Sequence, residues 1–163
     1  MPGLLRDHIA VVTGAGSGIG RAIALGFARE GATLAVLDIE TAAKTVADIH
    51  ADGGRAQAFA LDITDRLACR DVAAKVAREI GQVSVLVNNA GINRRNAFAG
   101  EPDAVIKDWQ DIMAVNLNGL FNVTHAFLAP LRAAKGRIVN LASIQSFVHV
   151  RTPNSPAYTT SKH

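Results

Sequence analysis

Thr13-Gly14-Ala15-Gly16-Ser17-Gly18-Ile19-Gly20 is the stretch on which the reading of this chain turns. It follows a short apolar run, Ile9-Ala10-Val11-Val12. It precedes residues 18–30, where Ile19, Ala22, Ile23, Gly26 and Phe27 fall at helical spacing. A short apolar run ending in glycines reads as a buried strand entering a turn, and the later spacing reads as an amphipathic helix. Such a turn lets backbone N–H groups approach a pyrophosphate at the positive end of the helix. A side chain at Gly14 or Gly18 would hold the phosphates off. The glycines do not fit G-x-G-x-x-G in either register, because Ile19 and Arg21 stand where the third glycine would be; they fit G-x-x-x-G-x-G through Gly14, Gly18 and Gly20. The spacing alone also describes a plain tight turn, and its position between strand and helix is what gives it meaning.

Outward from that loop, strands and helices alternate. Thr33–Leu37, Ala56–Leu61, Val83–Val87 and Arg137–Leu141 read as four further strands. Helices are expected over about 40–51, with Ala43, Val46 and Ala47 inward, and over 65–80, with Cys69, Val72, Ala73, Val76 and Ile80 inward. Two more are expected over 103–114, offering Val105, Ile106, Trp109, Ile112 and Met113 for burial, and over 117–134, through Leu117, Leu120, Phe121, Thr124, Phe127, Leu128 and Leu131. Ser143 to Asn154 reads as loop, and Ser155-Pro156 as a helix start with proline in the first turn. Strand–helix alternation with apolar strands predicts an α/β fold, a doubly wound parallel sheet of five strands covered on both faces. The 163 residues read as a single Rossmann-like nucleotide-binding domain.

Composition narrows the function. Apolar types make up 49% and charged types 19%, as in a packed globular domain, and no run approaches about eighteen consecutive apolar residues, so no membrane span is expected. The N-terminus has neither a charged leader nor an apolar core of signal-peptide type, and Cys69 stands alone, which excludes a disulfide framework within the chain or a cysteine zinc cluster. A cytoplasmic protein is expected. The 17 basic and 14 acidic residues are scattered, with no basic stripe for nucleic acid. The five histidines show no ligand spacing, and Glu101, Asp103, Asp108 and Asp111 read as a solvated helix face, so no metal site is expected. Cys69 reads as buried and inert, and Trp109 and Phe121 as core.

Candidate site residues lie where strands end. Asp38 closes the second strand, 18 residues after Gly20, where a carboxylate can accept both ribose hydroxyls of an adenosine and would repel a 2′-phosphate; it can also cap the following helix. Neither Ser17 nor Ile39 is basic, so NAD is favoured over NADP. Asp62 either meets the adenine amino group or caps the next helix. Asn88-Asn89-Ala90-Gly91 ends the fourth strand, where small residues let a cofactor pass, and Asn89 can equally tie neighbouring strands together. Tyr158 and Lys162 are four apart, on one helical face. A free phenol titrates near 10, so general-base work near neutrality requires roughly 4 kcal/mol. One ammonium about 4 Å away at an effective dielectric near 20 supplies about that much. Such a pair can take a proton from an alcohol, with Ser143, just after the fifth strand, hydrogen-bonding the substrate oxygen.

Together Thr13-Gly14-x-x-x-Gly18-x-Gly20, Asp38, Asp62, Asn88-Asn89-Ala90-Gly91, Asn116, Ser143 and Tyr158-x-x-x-Lys162 resemble the short-chain dehydrogenase/reductase family, in its compact single-domain branch. The resemblance implies hydride transfer between a nicotinamide and a secondary alcohol or ketone. It implies catalytic roles for Tyr158 as acid/base, Lys162 on the nicotinamide ribose, Ser143 on the substrate oxygen and Asn116 on a relay water. It implies cofactor contacts at Gly14, Ser17, Gly18, Ile19, Gly20, Asp38, Asp62, Ile63, Asn89, Ala90, Gly91, Tyr158 and Lys162. Asn93, Arg94, Arg95, Gln145, His149, Arg151 and Asn154 make the neighbouring loops polar, suited to a sugar, polyol or sugar acid, and a 3-ketoacyl-type reductase is the alternative. Two departures from the family follow. The Ser143–Tyr158 interval is slightly long, and the family's fold continues past Lys162. The expectation is therefore a fragment, inactive or only nucleotide-binding by itself, whose complete protein is a homo-oligomer, a tetramer or dimer.

Overall fold

The computed structural model describes residues 3–40, 42–94, 97–148 and 156–163. Five parallel strands, β1 (Ile9–Thr13), β2 (Thr33–Asp38), β3 (Arg55–Ala60), β4 (Val85–Asn88) and β5 (Arg137–Asn140), form one sheet in the order β3-β2-β1-β4-β5. Helices α1 (Gly18–Arg29), α2 (Ala43–Ala51) and α3 (Arg66–Glu79) connect the first four strands. Helix α4 (Pro102–Met113) runs through a π-helical turn (Ala114–Gly119) into α5 (Leu120–Ala133), and a short α6 (Pro156–Lys162) follows β5. This is the doubly wound α/β fold that the alternation predicts.

Alternation within each strand divides the core. Val11, Leu37 and Leu86 face α3 and α5, where they meet Cys69, Ala73, Val76, Val123, Phe127 and Leu131. Ala10, Val12, Leu34, Val36, Val85 and Val87 face α1 and α2, where Ala24, Ala28 and Ile49 close the layer. Each fully buried Val, Leu, Ile or Phe among these contributes about 1.5–3 kcal/mol. The chain lays β1, β2 and β3 in one direction, then returns to set β4 on the other side of β1. That reversal opens a crevice beyond the carboxyl ends of β1 and β4, the place where such sheets hold ligands.

Several helical faces differ from the periodicity reading. In α1 the buried positions are Gly20, Ala24 and Ala28, with Ile19 exposed, because small residues let the helix lie close to the sheet. In α2 they are Thr45 and Ile49, while Ala43 and Ala47 face solvent. Along the run from α4 through the π turn to α5, Ile106, Trp109, Leu117, Phe121 and Leu128 are exposed, so Trp109 and Phe121 are surface residues rather than core. A helix with apolar residues on two faces buries only the one that meets the sheet, here through Val123, Phe127 and Leu131. The run Pro102–Ala133 is long and apolar enough to cross a bilayer by length and composition alone. In this fold its α5 part packs on the sheet through Val123, Phe127 and Leu131, while α4 packs against α6. Strand β5 is the sheet edge, with all four residues exposed. The loop reading for Ser143 to Asn154 is replaced in part by a 3-10 turn at Ile144–Ser146. Arg95, His149, Arg151, Asn154 and the helix start at Ser155 lie outside the described residues.

Candidate active site

The crevice is a cavity of about 630 Å³ lined around the glycine loop by Gly14, Ser17, Gly18, Ile19, Asp38, Ile39, Asp62 and Ile63, past Asn89 and Ala90 beside Gly14, and on to Gly91, Ile92, Asn93, Tyr158 and Lys162. Leu37, Leu61, Val115, Leu141 and Ala142 complete the wall.

The glycine loop is shaped for close approach. Gly14 and Gly18 have φ of 62° and 53°, the left-handed region in which other residues are strained. At Gly14 a Cβ would stand 2.9 Å from the Ala90 Cα, and at Gly20 it would run into the Gly14 carbonyl oxygen and the Asn89 amide. At Gly18 a Cβ would meet nothing within 4 Å, so the open space beside the cavity is what the missing side chain preserves. Ser17 is the N-cap of α1 but makes no side-chain cap hydrogen bond. The loop is also braced from below: the Ala15 N–H donates to the Leu37 carbonyl at 3.1 Å, and the buried Thr45 hydroxyl donates to the Ala15 carbonyl at 2.9 Å. These features fit a dinucleotide pyrophosphate over Gly14–Gly18.

Asp38 ends β2 facing this loop. Its Oδ2 accepts from the Gly16 N–H at 2.8 Å, and its Oδ1 from the Glu40 N–H at 3.2 Å. The carboxylate is thereby aimed along the cavity rim beside Ile39. Asp62 accepts from the Thr64 N–H and hydroxyl at 2.9 and 2.8 Å, and it does not cap α3. The cap is Asp65, which accepts from the Leu67 and Ala68 N–H groups. Asn89 donates from its amide to the carbonyls of Thr13 and Gly14, tying β4 to the glycine loop while lining the cavity.

The other end is assembled from distant segments. Asn116, buried on the π turn, accepts from the Ile92 N–H at 2.8 Å, donates to the Ile92 carbonyl at 2.9 Å and donates to the Ser161 hydroxyl at 3.0 Å. A Cβ on Gly91 would lie 3.1 Å from the Asn116 Oδ1 and 3.5 Å from the Lys162 Nζ, so a glycine there brings loop, π turn and α6 together. The Lys162 ammonium donates to the Leu141 carbonyl at 2.9 Å, and burial holds its pKa below the ordinary 10.5. Tyr158 lines the same cavity. Ser143 does not reach the cavity wall in this state, and its hydroxyl accepts from the Gln145 N–H at 3.2 Å as the cap of the 3-10 turn.

Several groups shape the site in ways the sequence does not announce: Thr13 reads there only as the lead of the glycine motif and Gln145 only as a polar loop residue, while Ser146 and Gly119 carry no signal. Thr13 accepts from the Asn89 and Ala90 N–H groups. Ser146 donates to the Lys162 carbonyl, and Gln145 accepts from Thr159, so the turn after β5 anchors α6. Gly119 lets the π turn press on Ile63. None of these has a spacing signal; only the Thr before the first glycine is adjacent to a recognisable motif. Asp108 is buried and pairs with Arg94, and so is not part of a solvated face. Cys69 is buried, and desolvation, with the nearby charges of Asp65 and Asp62, pushes its thiol up to about 11, which keeps it an inert thiol.

The family model for short chain dehydrogenases matches residues 8–163. This chain belongs to that family. A Mycobacterium tuberculosis protein named Probable oxidoreductase EphD is 40% identical over 98% of this chain and 27% of its own length. D-threitol dehydrogenase of Mycolicibacterium smegmatis is 39% identical over 85% of this chain and 54% of its own. Among solved structures, a Beutenbergia cavernae protein assigned as an NAD(P) dependent gluconate 5-dehydrogenase, with bound NADP, superposes with a TM-score of 0.87 at 38% identity, over 100% of this chain and 64% of that one. The chain thus spans less than two thirds of the length of these family members.

Proposed function

We propose that this short-chain dehydrogenase chain carries the nucleotide-binding and proton-transfer parts of an NAD-dependent oxidoreductase acting on a secondary alcohol of a sugar, polyol or sugar acid. The whole stretch 1–163 is read as one nucleotide-binding unit. The single observation behind the reading is convergence: the glycine loop, Asp38, Tyr158 and Lys162 line one cavity. Threitol and gluconate dehydrogenases among the relatives support the substrate class.

Each residue then has a task. Gly14, Gly18 and the Ser17 hydroxyl receive the pyrophosphate at the start of α1. Asp38 accepts the adenosine ribose hydroxyls, Asp62 and Ile63 border the adenine, Ile19, Asn89, Ala90 and Gly91 border the path, and Gly20, buried beneath the Gly14 carbonyl, lets the loop close beneath it. The Tyr158 phenol takes the alcohol proton or returns it to the ketone. The Lys162 ammonium holds the second ribose and stabilises the phenolate electrostatically. Ser143 orients the substrate oxygen once its hydroxyl turns from Gln145. The side chain of Asn116 is committed to Ile92 and Ser161, so a relay water would be held by its main-chain oxygen. When bound, the nicotinamide supplies the hydride acceptor or donor. The exposed Ile106, Trp109, Leu117, Phe121 and Leu128 offer a homo-oligomer an apolar contact face, which equilibrium sedimentation would report.

NAD over NADP follows from Asp38. A carboxylate pinned by the Gly16 N–H faces any 2′-phosphate with like charge, and no cation stands at Ser17 or Ile39. Unit charges about 4 Å apart at an effective dielectric near 20 interact by about 4 kcal/mol. Part of that survives at a half-open rim. Initial rates of nicotinamide reduction, measured with polyols and sugar acids on the protein as its gene encodes it, should favour NAD. Asp38→Asn should narrow the NAD:NADP ratio of kcat/KM by at least about tenfold. A native preference for NADP, unchanged by Asp38→Asn, would remove the cofactor assignment.

A further inference from the structure

The amide groups around the reacting end of the cavity are nearly all in use. Asn89 is bound to Thr13 and Gly14, Asn116 to Ile92 and Ser161, and Asn88 to Thr124 and Asn140; Gln145 accepts from Thr159. Asn93 differs. It is exposed, lines the cavity two residues beyond Gly91, and among the described residues its side-chain amide has no hydrogen-bond partner.

Its backbone is nevertheless fixed from both sides. Ile92 is gripped through both its N–H and its carbonyl by Asn116. Arg94 pairs with Asp108 at 3.5 Å and with Asp111 at 3.3 Å, the latter also held by Lys107 at 2.8 Å. All of these anchors sit on the continuous helical run from α4 through the π turn. An uncommitted donor–acceptor group on a clamped backbone is a preorganised reader, because its position costs little further ordering when a ligand arrives. Arg94 is the cation beside it, and two carboxylates already compensate its charge. The group offered to the ligand at this point is therefore a neutral amide, suited to a hydroxyl.

We infer that Asn93 is a specificity-determining residue that hydrogen-bonds a hydroxyl neighbouring the reacting carbinol, so that the site prefers a vicinal polyol to a simple secondary alcohol. This rests on the alcohol-oxidation reading above. The probes are butane-2,3-diol and butan-2-ol, which differ by that one hydroxyl, with the natural full-length protein, NAD, and the variants Asn93→Ala and Arg94→Ala. Asn93→Ala should lower kcat/KM for the diol about two- to tenfold more than for the mono-alcohol, with the NAD KM held. Arg94→Ala should erode the same ratio by freeing the loop. Both variants should keep the unfolding midpoint close to that of the parent, since both side chains lie at the surface. Equal losses on the two alcohols, or a loss that falls on the NAD KM, would overturn the role of Asn93. Absence of turnover of either alcohol by the unsubstituted protein would overturn the oxidoreductase reading itself, and this inference with it.

Discussion

The two ends of the cavity are built by different means. At the phosphate end, backbone carries much of the constraint: two glycines with positive φ, a strand-to-loop hydrogen bond from Ala15 to Leu37, and a backbone N–H that aims Asp38, with the Thr45 hydroxyl and the Asn89 amide bracing the loop carbonyls. At the reacting end the constraints are side chains reaching across long stretches of chain, Asn116 to Ile92, Lys162 to Leu141 and Ser146 to Lys162. A backbone cradle recognises what its ligands have in common, a pyrophosphate. Side chains on separate segments can be exchanged one at a time, and this is where a family varies its substrate. The contrast implies that changes at the phosphate end act on folding and binding together, while changes at the reacting end act on chemistry with binding largely spared.

The largest effect belongs to Tyr158. Tyr158→Phe removes the hydroxyl proposed to exchange a proton with the carbinol and leaves the ring that lines the cavity. In the full-length protein kcat should fall about 10²- to 10⁴-fold, the usual worth of a positioned acid/base group. Reduced-cofactor affinity, followed by fluorescence titration, should change little. A comparable loss of cofactor binding would erase the distinction between the two ends.

Gly20→Ala is the converse test. Its Cβ would run into the Gly14 carbonyl and the Asn89 amide, which are backbone and a committed side chain, so the loop must shift. Overpacking of this kind costs about 1–3 kcal/mol, readable as a lower urea midpoint at unchanged slope. Gly18→Ala sharpens the point. It meets no atom within 4 Å, yet it forces an alanine to φ near 53°, a cost of about 1–2 kcal/mol. Gly18 lines the cavity, so cofactor affinity should drop by more than the stability change accounts for.

The same contrast decides what could be read from the sequence. The glycine loop and Asp38 were legible because their spacing is local: fixed glycine offsets and an acid at a strand end mark them, although the groups they bond, Asp38 to Gly16 and Thr45 to Ala15, lie 22 and 30 positions apart. The five-stranded, doubly wound parallel sheet followed from alternation of apolar runs with helices. The inward faces of α4 and α5 were not legible. Trp109 and Phe121 lie at good helical spacing, but spacing does not say which of two apolar faces meets the sheet. Asn116 could be assigned only by resemblance, because its partners Ile92 and Ser161 are 24 and 45 residues away and the π turn that brings them together has no compositional mark. Asp108 read as solvated because nothing local announces a partner 14 positions earlier; the strand-end loop folds Arg94 back onto it.

Lys162 joins both behaviours and supplies the smallest and most specific effect. Burial lowers its pKa below 10.5, so folding shifts the group toward the neutral amine, against the ammonium that its proposed role calls for. The sign follows from linkage. Between the lowered folded value and 10.5 the unfolded chain binds more protons than the folded one, so this residue's contribution to stability rises with pH across that window. Below the folded value the burial penalty is fully present and constant. Lys162→Met removes the group and its titration. Thermal unfolding of parent and variant, compared from pH 7 upward, should show the parent gaining on the variant as pH approaches 10.5. At neutral pH two changes compete in the variant: the desolvation cost disappears, and the Leu141 carbonyl loses a donor worth about 1 kcal/mol. Turnover by the variant should fall sharply throughout. A stability difference that stays flat with pH would mean that Lys162 is solvated in the folded protein, and the reacting end would then be a looser assembly than its hydrogen bonds describe.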